Sequence, residues 1–318
     1  MNSFAFVFPG QGSQAVGMLD AWAGHPAVAE TVREASDALD EDVGALIHGG
    51  PKDALALTTN TQPVMLMAGV AAWRAWLAEG GAKPSVLAGH SLGEYSALVA
   101  SGVLTLAQAA PLVRFRAQAM QQAVPVGVGA MAAVLGMDSA KVIAGCAEAT
   151  ASFGAGSAEI VEAVNFNDPL QTVIAGSKAA VDKACEVVKA NGAKRALLLP
   201  VSAPFHSSLM RPAAEALREK LASVSFAVPQ IPVLNNIDVA IESDPARIRD
   251  ALVRQAAGPV RWVESVHALK ARGVEAIVEC GPGRILAGMA KRIAPDLAAA
   301  AVYDPATLAE TRQLLNTP

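Results

Sequence analysis

Cysteine is scarce in this chain: three occur in 318 residues, at positions 146, 185 and 280. They form no CxxC pair and no cluster with histidine, so neither a disulfide framework nor a zinc site is supported, and a reducing, cytoplasmic setting fits. Charge is also sparse, at 17% of residues, and 25 basic against 29 acidic side chains leave a formal balance of −4. Bulk attraction to nucleic acid or to an anionic membrane is therefore not expected. No GxxxxGK[ST] or HExxH occurs, and "GVGAM" and "GPGR" are glycine turns outside a GxGxxG setting. An unbroken apolar run of membrane length is missing too. The one long uncharged stretch, residues 117–137, contains Gln118, Gln121, Gln122, Pro125, Gly127 and Gly129, which would leave amides and broken backbone in lipid. The opening "MNSFAFVFPGQ" lacks a basic leader region and reads as a first strand, not as a signal peptide.

What the chain does have is apolar material, 53% of its residues, enough for a generous core. Residues 4–8 and 86–89 read as buried strands, and 27–39, 62–77, 92–100 and 106–122 as helices. Strands alternating with helices of this length predict an α/β architecture with a largely parallel sheet. Near residue 126 the rhythm changes to strand 130–135, helix 139–150, strands 160–166 and 172–175, helix 178–189 and strand 195–199. That β-α-β-β-α-β order is the split pattern of a ferredoxin-like unit. The α/β pattern resumes with helices 209–221, 245–256 and 263–271, strand 276–279 and helix 285–292. The expected organisation is a discontinuous α/β catalytic domain, residues 1–125 and 204–318, interrupted by a small domain, 126–203. Pro125 and residues 200–204 mark the crossings. The alanine-rich 297–301 is too short for a low-complexity tract.

"GHSLG", residues 89–93, follows a strand and opens a helix, the context in which Gly-x-Ser-x-Gly is a nucleophile elbow. Ser91 is the candidate nucleophile, and the Leu92 N–H at the helix start is placed to donate to an oxyanion. A serine needs a base, and five histidines offer themselves. His90 neighbours the nucleophile and is expected to line the pocket. His25 sits in a Gly-His-Pro turn and His267 on an amphipathic helix, neither pointing to chemistry. His48, in "LIHGG", imitates an oxyanion loop but reads as a loop before Pro51-Lys52-Asp53. His206, in a proline-bounded loop between strand and helix, is the choice on local grounds. "FPGQGSQ", residues 8–14, could line a pocket with its amides. Arg116 lies on an apolar segment, either exposed at a helix edge or buried to hold an anion, and the sequence leaves both open.

Taken in order, Phe8-Pro9-Gly10-Gln11-Gly12-Ser13-Gln14, Gly89-His90-Ser91-Leu92-Gly93-Glu94-Tyr95, Gly129-Ala130-Met131, Asn165-Phe166-Asn167, Ala203-Pro204-Phe205-His206-Ser207-Ser208 and Gly281-Pro282-Gly283 resemble one family. It is the malonyl-CoA:acyl carrier protein transacylases of bacterial type II fatty acid synthesis. The resemblance implies a hydrolase-like α/β core with a ferredoxin-like insert. It implies Ser91 as the malonyl-carrying nucleophile and His206 as its base, held through a main-chain carbonyl near Gln255 with no Asp. The N–H groups of Gln11 and Leu92 would form the oxyanion hole, and Arg116 would bind the malonyl carboxylate. Phe205 would crowd out branched groups, and Asn165 and Gln171 would line the cleft. Arg195 and Arg292 would lie near the entrance for coenzyme A or phosphopantetheine. Two departures stand out: Ala117, where many members have glycine, and Asp168-Pro169-Leu170, in place of a small-Pro-Gly turn.

The expected reaction is a ping-pong exchange from malonyl-CoA to acyl carrier protein, with no cofactor and no metal, in a cytoplasmic monomer. The same motifs suit a malonyl transferase of polyketide assembly. A serine esterase is a further alternative, against which Arg116 and the missing acid partner speak. A non-catalytic acyl-binding module would have no need of Ser91 together with His206.

Overall fold

Nine strands form two sheets among the described residues of the computed structural model, which are 3–201 and 203–316. In chain order they are β1 Phe4–Phe8, β2 Val86–Gly89, β3 Gly129–Leu135, β4 Val161–Asp168 and β5 Gln171–Ser177, followed by β6 Arg195–Leu198, β7 Val233–Leu234, β8 Ala276–Cys280 and β9 Ala298–Val302. The larger sheet runs β7-β2-β1-β8-β9 with every pairing parallel. β1, β2 and β8 are buried at every position. Strands covered on both faces read as continuous apolar runs, as these do, with Glu279 the exception. Helix Thr58–Ala78 is largely buried as well. Its Trp73 and Trp76 meet Phe6 edge-on, with centroids 5.6 and 5.2 Å away, and each such pair adds about 0.5–1.5 kcal/mol beyond area burial.

The smaller sheet, β4-β5-β3-β6, is antiparallel throughout. Helices Ser139–Ala151 and Lys178–Ala190 bury Val142, Val181 and Val188 with Val134, Val161 and Ile174 of the strands. Connectivity and strand order together are ferredoxin-like, as the split pattern predicts.

The chain divides into two compact units. The first takes the described residues up to Ala117, then Ser223–Ile248 and the chain from Ser265 onward; the second takes Gln118–Ala222 and Arg249–Glu264. The second unit is thus wider than 126–203, adding 118–125, 204–222 and 249–264. Ser202, within the expected crossing at 200–204, lies outside the described residues. The alanine-rich segment forms β9, paired with β8 from Ala276↔Ala298 to Cys280↔Val302. Helix Pro305–Asn316 packs against it, and ladder plus packing override alanine's weak strand preference. No helix among the described residues is long and apolar enough to cross a membrane.

Candidate active site

In the first unit, β2 ends at Gly89 and helix Gly93–Ala100 starts four residues on, so His90, Ser91 and Leu92 make the turn. Ser91 adopts φ +53°, a left-handed conformation costing a residue with a Cβ roughly 1–2 kcal/mol. The flanking glycines follow from close packing. A Cβ on Gly89 would lie 1.9 Å from the Gly93 carbonyl carbon, and one on Gly93 would lie 2.0 Å from Phe8 O. The loop after β1 rests on the same turn, since a Cβ on Gly10 would lie 2.6 Å from His90 O. Gly93 N–H donates to His90 O at 2.9 Å and Glu94 N–H to Ser91 O at 3.1 Å. Among the described residues neither the Leu92 nor the Gln11 N–H donates to a protein acceptor. Two main-chain donors therefore stand open beside the serine's corner.

Arg116 is 2% exposed, which removes the exposed-edge reading. Its Nη2 donates to Ser91 Oγ at 3.2 Å and its Nη1 to Gln62 Oε1 at 2.7 Å. The guanidinium carbon lies 5.5 Å from the centre of the Tyr95 ring. Burial pushes the Arg116 pKa down, while Tyr95 and Glu94 push it back up; arginine stays charged in such a setting. Burial also pushes the Tyr95 phenol up to about 12, so it stays neutral. Gln62 Nε2 donates to Thr58 Oγ1 at 3.4 Å, and that hydroxyl donates to Gln11 Oε1 at 2.8 Å. A polar series thus runs from Gln11 through Thr58 and Gln62 of one helix and Arg116 of another to Ser91. Asn236, after β7, accepts the Ser91 N–H on Oδ1 at 2.7 Å and donates through Nδ2 to Gly89 O at 2.6 Å. Sequence reasoning missed Gln62 and Asn236. The available signals were one amide in an apolar helix and an Asn pair following a strand.

In the second unit, His206 is 5% exposed with φ +66°. Its Nδ1 lies 3.0 Å from Gln255 O and 3.1 Å from Gly258 O. Both partners are carbonyls and can only accept, so Nδ1 carries a proton, and in the neutral ring Nε2 is the acceptor nitrogen. That is the tautomer of a general base, set without a carboxylate. Gly258 had no signal in the sequence. The loop is tied down by Glu162 of β4, whose Oε2 accepts the Ser208 N–H at 2.6 Å. β4 also holds the segment after Gly258: Val260 N–H donates to Val164 O at 2.8 Å and Phe166 N–H to Val260 O at 3.0 Å.

The remaining candidates are placed as follows. His90 is half-buried in the elbow, with its N–H on Phe8 O at 3.0 Å. Phe205 is buried in the turn before His206. Asn165 pairs with Val173 across the sheet and bridges Val260, and its Oδ1 is buried without a hydrogen-bond partner among the described residues. Gln171 opens β5 opposite Leu135, at the other end of the strand from the Ala175–Glu162 pair. Arg195 of β6 and Arg292 of helix Ile285–Ile293 are exposed, one on each unit. His48 is a correction: it lies on helix Val43–Gly49, not in a loop, with Nδ1 2.8 Å from Asp20 Oδ1. The cap of that helix, Asp42 on the Ala45 N–H, is what makes "VGALIHG" helical. His25 contacts Trp22 and Glu79, and His267 is exposed on helix Trp262–Ala271.

A serine on a strained strand-to-helix turn with open amides beside it and, in the other unit, a carbonyl-held histidine are parts suited to acyl transfer, and the chain belongs to the acyl transferase domain family, whose pattern matches residues 5–304. Its relatives narrow this to the malonyl CoA-acyl carrier protein transacylases. That of Salmonella typhimurium is 52% identical over 309 residues, 97% of this chain and 98% of the relative. The crystal structure of an acyl-carrier-protein S-malonyltransferase from Burkholderia pseudomallei is 63% identical with a TM-score of 0.95, covering 98% of this chain and 99% of the other. A type II PKS acyl-carrier protein in complex with its malonyl-transacylase is 49% identical with a TM-score of 0.95, covering 98% of this chain and 100% of the other.

Proposed function

We propose that the chain is an acyl-carrier-protein S-malonyltransferase serving fatty acid synthesis, with Ser91 and His206 acting in one catalytic cycle. His206 Nε2 takes the Ser91 Oγ proton as Oγ bonds the thioester carbon of malonyl-CoA. The resulting oxyanion accepts from the Leu92 and Gln11 N–H groups, donors worth roughly 3–4 kcal/mol each in comparable sites. The carbon–sulfur bond then breaks, and the coenzyme A sulfur takes the proton from His206 and leaves as the thiol, so His206 is neutral again. The phosphopantetheine thiol of acyl carrier protein next gives its proton to His206 as its sulfur bonds the malonyl carbonyl carbon, and the Ser91 carbon–oxygen bond breaks as His206 returns that proton to Oγ. The cycle uses no cofactor and no metal.

The observation that carries the malonyl assignment is the buried Arg116 guanidinium 3.2 Å from Ser91 Oγ. A fixed cation beside the nucleophile selects an acyl group ending in a carboxylate. An esterase for neutral esters has no need of a buried guanidinium at that oxygen. Phe205, Asn165 and Gln171 are assigned to lining the acyl site and His90 to shaping the elbow. Arg195 with Lys194 on one unit, and Arg292 with Lys291 on the other, are each assigned to contact with an acidic carrier. The working protein is a cytoplasmic monomer. A carrier from polyketide assembly is the second reading, favoured by the relative captured with such a carrier. The test is intact and peptide mass after incubation with malonyl-CoA, followed by the two carriers in competition. A malonyl adduct on the Ser91 peptide that is discharged by the carrier, and no adduct in Ser91→Ala, is the expected result. Transfer by Ser91→Ala at the wild-type rate would overturn it.

A further inference from the structure

One buried residue, Asn236, grips the strained elbow at three places. Asn236 is fully buried and follows β7, whose residues Val233 and Leu234 pair with Leu87 and Ala88 of β2. It therefore leaves the sheet beside the strand that carries Ser91. Three of its polar groups are used on the elbow. Oδ1 takes the Ser91 N–H, Nδ2 donates to Gly89 O, and its own N–H donates to Glu94 Oε2 at 2.9 Å. These contacts bracket residues 89 to 94, the whole turn, and Glu94 itself is 2% exposed. An isolated serine at φ +53° would relax to negative φ and swing both its hydroxyl and the following amide.

We infer that Asn236 is a positioning residue for acyl transfer: its side-chain amide holds the Ser91 peptide so that Oγ stays at Arg116 and the Leu92 N–H, not the Ser91 N–H, is turned to the oxyanion. The bond to Oδ1 takes the Ser91 amide out of play, which is why the second donor must come from the loop carrying Gln11. The side chain touches neither substrate nor reacting atoms. It acts on the rate of bond formation, whereas Arg116, untouched by its removal, governs the grip on the acyl carboxylate.

This inference rests on Ser91 being the acylated residue, and the experiment separates the two. The measurement is the single-turnover rate of Ser91 acylation by malonyl-CoA, read by mass over a concentration series, for wild type, Asn236→Ala and Asn236→Asp, well below their melting temperatures. Asn236→Ala loses both side-chain bonds and keeps the main-chain bond to Glu94. Asn236→Asp keeps an acceptor for the Ser91 N–H but sets a carboxylate against Gly89 O. We expect the maximal acylation rate to fall about 30- to 100-fold in Asn236→Ala and at least tenfold in Asn236→Asp. Half-saturation should move less than threefold, and the pH dependence set by His206 should not change. A merely structural role would lower the melting temperature and leave the rate of the folded protein alone. Maximal rates within threefold of wild type, or a loss confined to half-saturation, would overturn the inference. If Asn236→Ala does not fold, the aspartate variant decides by the same criteria. If wild type acylates elsewhere or not at all, the functional reading falls and the inference with it.

Discussion

Arg116 is almost wholly buried, and its guanidinium reaches Ser91 Oγ, Gln62 Oε1 and the Tyr95 face. On the proposed reading an incoming carboxylate adds a charge-assisted hydrogen bond there that a methyl group cannot. A charge-assisted hydrogen bond is worth about 1.5–3 kcal/mol, so Arg116→Ala should lower kcat/KM for malonyl-CoA by roughly ten- to a hundredfold. Acetyl-CoA should lose far less, because it has no carboxylate for the guanidinium to bind. Arg116→Lys should restore only part, since a point charge lacks the planar fork. An unchanged malonyl-to-acetyl ratio of kcat/KM in Arg116→Ala would remove the carboxylate-binding role. Ser91 could be found in the sequence because a strained turn leaves a local trace: glycines two residues to either side, strand before, helix after. Asn236 left none, because its partners are 145 and 147 positions away and one asparagine carries no pattern.

Single strands and helices carry the supports of this chemistry. β4 holds the histidine's surroundings at two places, through Glu162 on the Ser208 N–H and through Val164 and Phe166 on Val260. Glu162→Gln keeps an acceptor oxygen for that N–H, whereas Glu162→Ala leaves it empty. The alanine variant should lose about tenfold in kcat and about 1–3 kcal/mol in urea unfolding, with glutamine within about threefold of wild type. Equal losses in the two variants would show that the bond does not matter. β8 supplies a second support: Glu279 Oε2 accepts the Ala287 N–H at 2.9 Å at the start of helix Ile285–Ile293. Burial pushes this carboxyl from its ordinary 4.5 up to about 7, against the pull of three backbone N–H groups. A raised acid favours the protonated folded form. Its stabilising contribution is therefore complete below pH 4.5 and is lost as pH rises through about 7, by up to about 3 kcal/mol. Urea midpoints of Glu279→Gln relative to wild type should accordingly improve from pH 5 to pH 8. A difference that stays flat across that range would mean the carboxyl titrates normally. Most elements could be read from the chain because buried parallel strands are continuous apolar runs bounded by glycine or proline. β9 escaped: five residues rich in alanine have no strand signature of their own and are extended only because β8 and a helix hold them so.

For the molecule as a whole, a formal charge of −4 opposes the approach of an acidic carrier protein, so attraction must be local. Arg292→Glu and Arg195→Glu should each raise the KM for the carrier and flatten its dependence on salt. Turnover at saturation should change little. An unaltered salt slope in either variant would take that arginine off the docking surface. Both sheets were expected from the sequence, but the widths of the two units were not. Helices such as Leu106–Gln122 pass from one unit to the other without any break in composition. The strand order has one more consequence, for the timing of synthesis. The antiparallel sheet is complete once residues 129–198 have left the ribosome, whereas β1, the fourth residue onward, waits for β8 at 276–280 before its second edge is covered. Contacts between neighbours in sequence form early and distant ones late. The insert should therefore resist protease on nascent chains stalled near residue 240, while β1 and the serine-bearing corner stay cleavable until the last two strands emerge. On the proposed reading, a chain stalled there would hold neither a finished base, since Gln255 and Gly258 are still to come, nor a working nucleophile, and so could not yet draw on the malonyl pool.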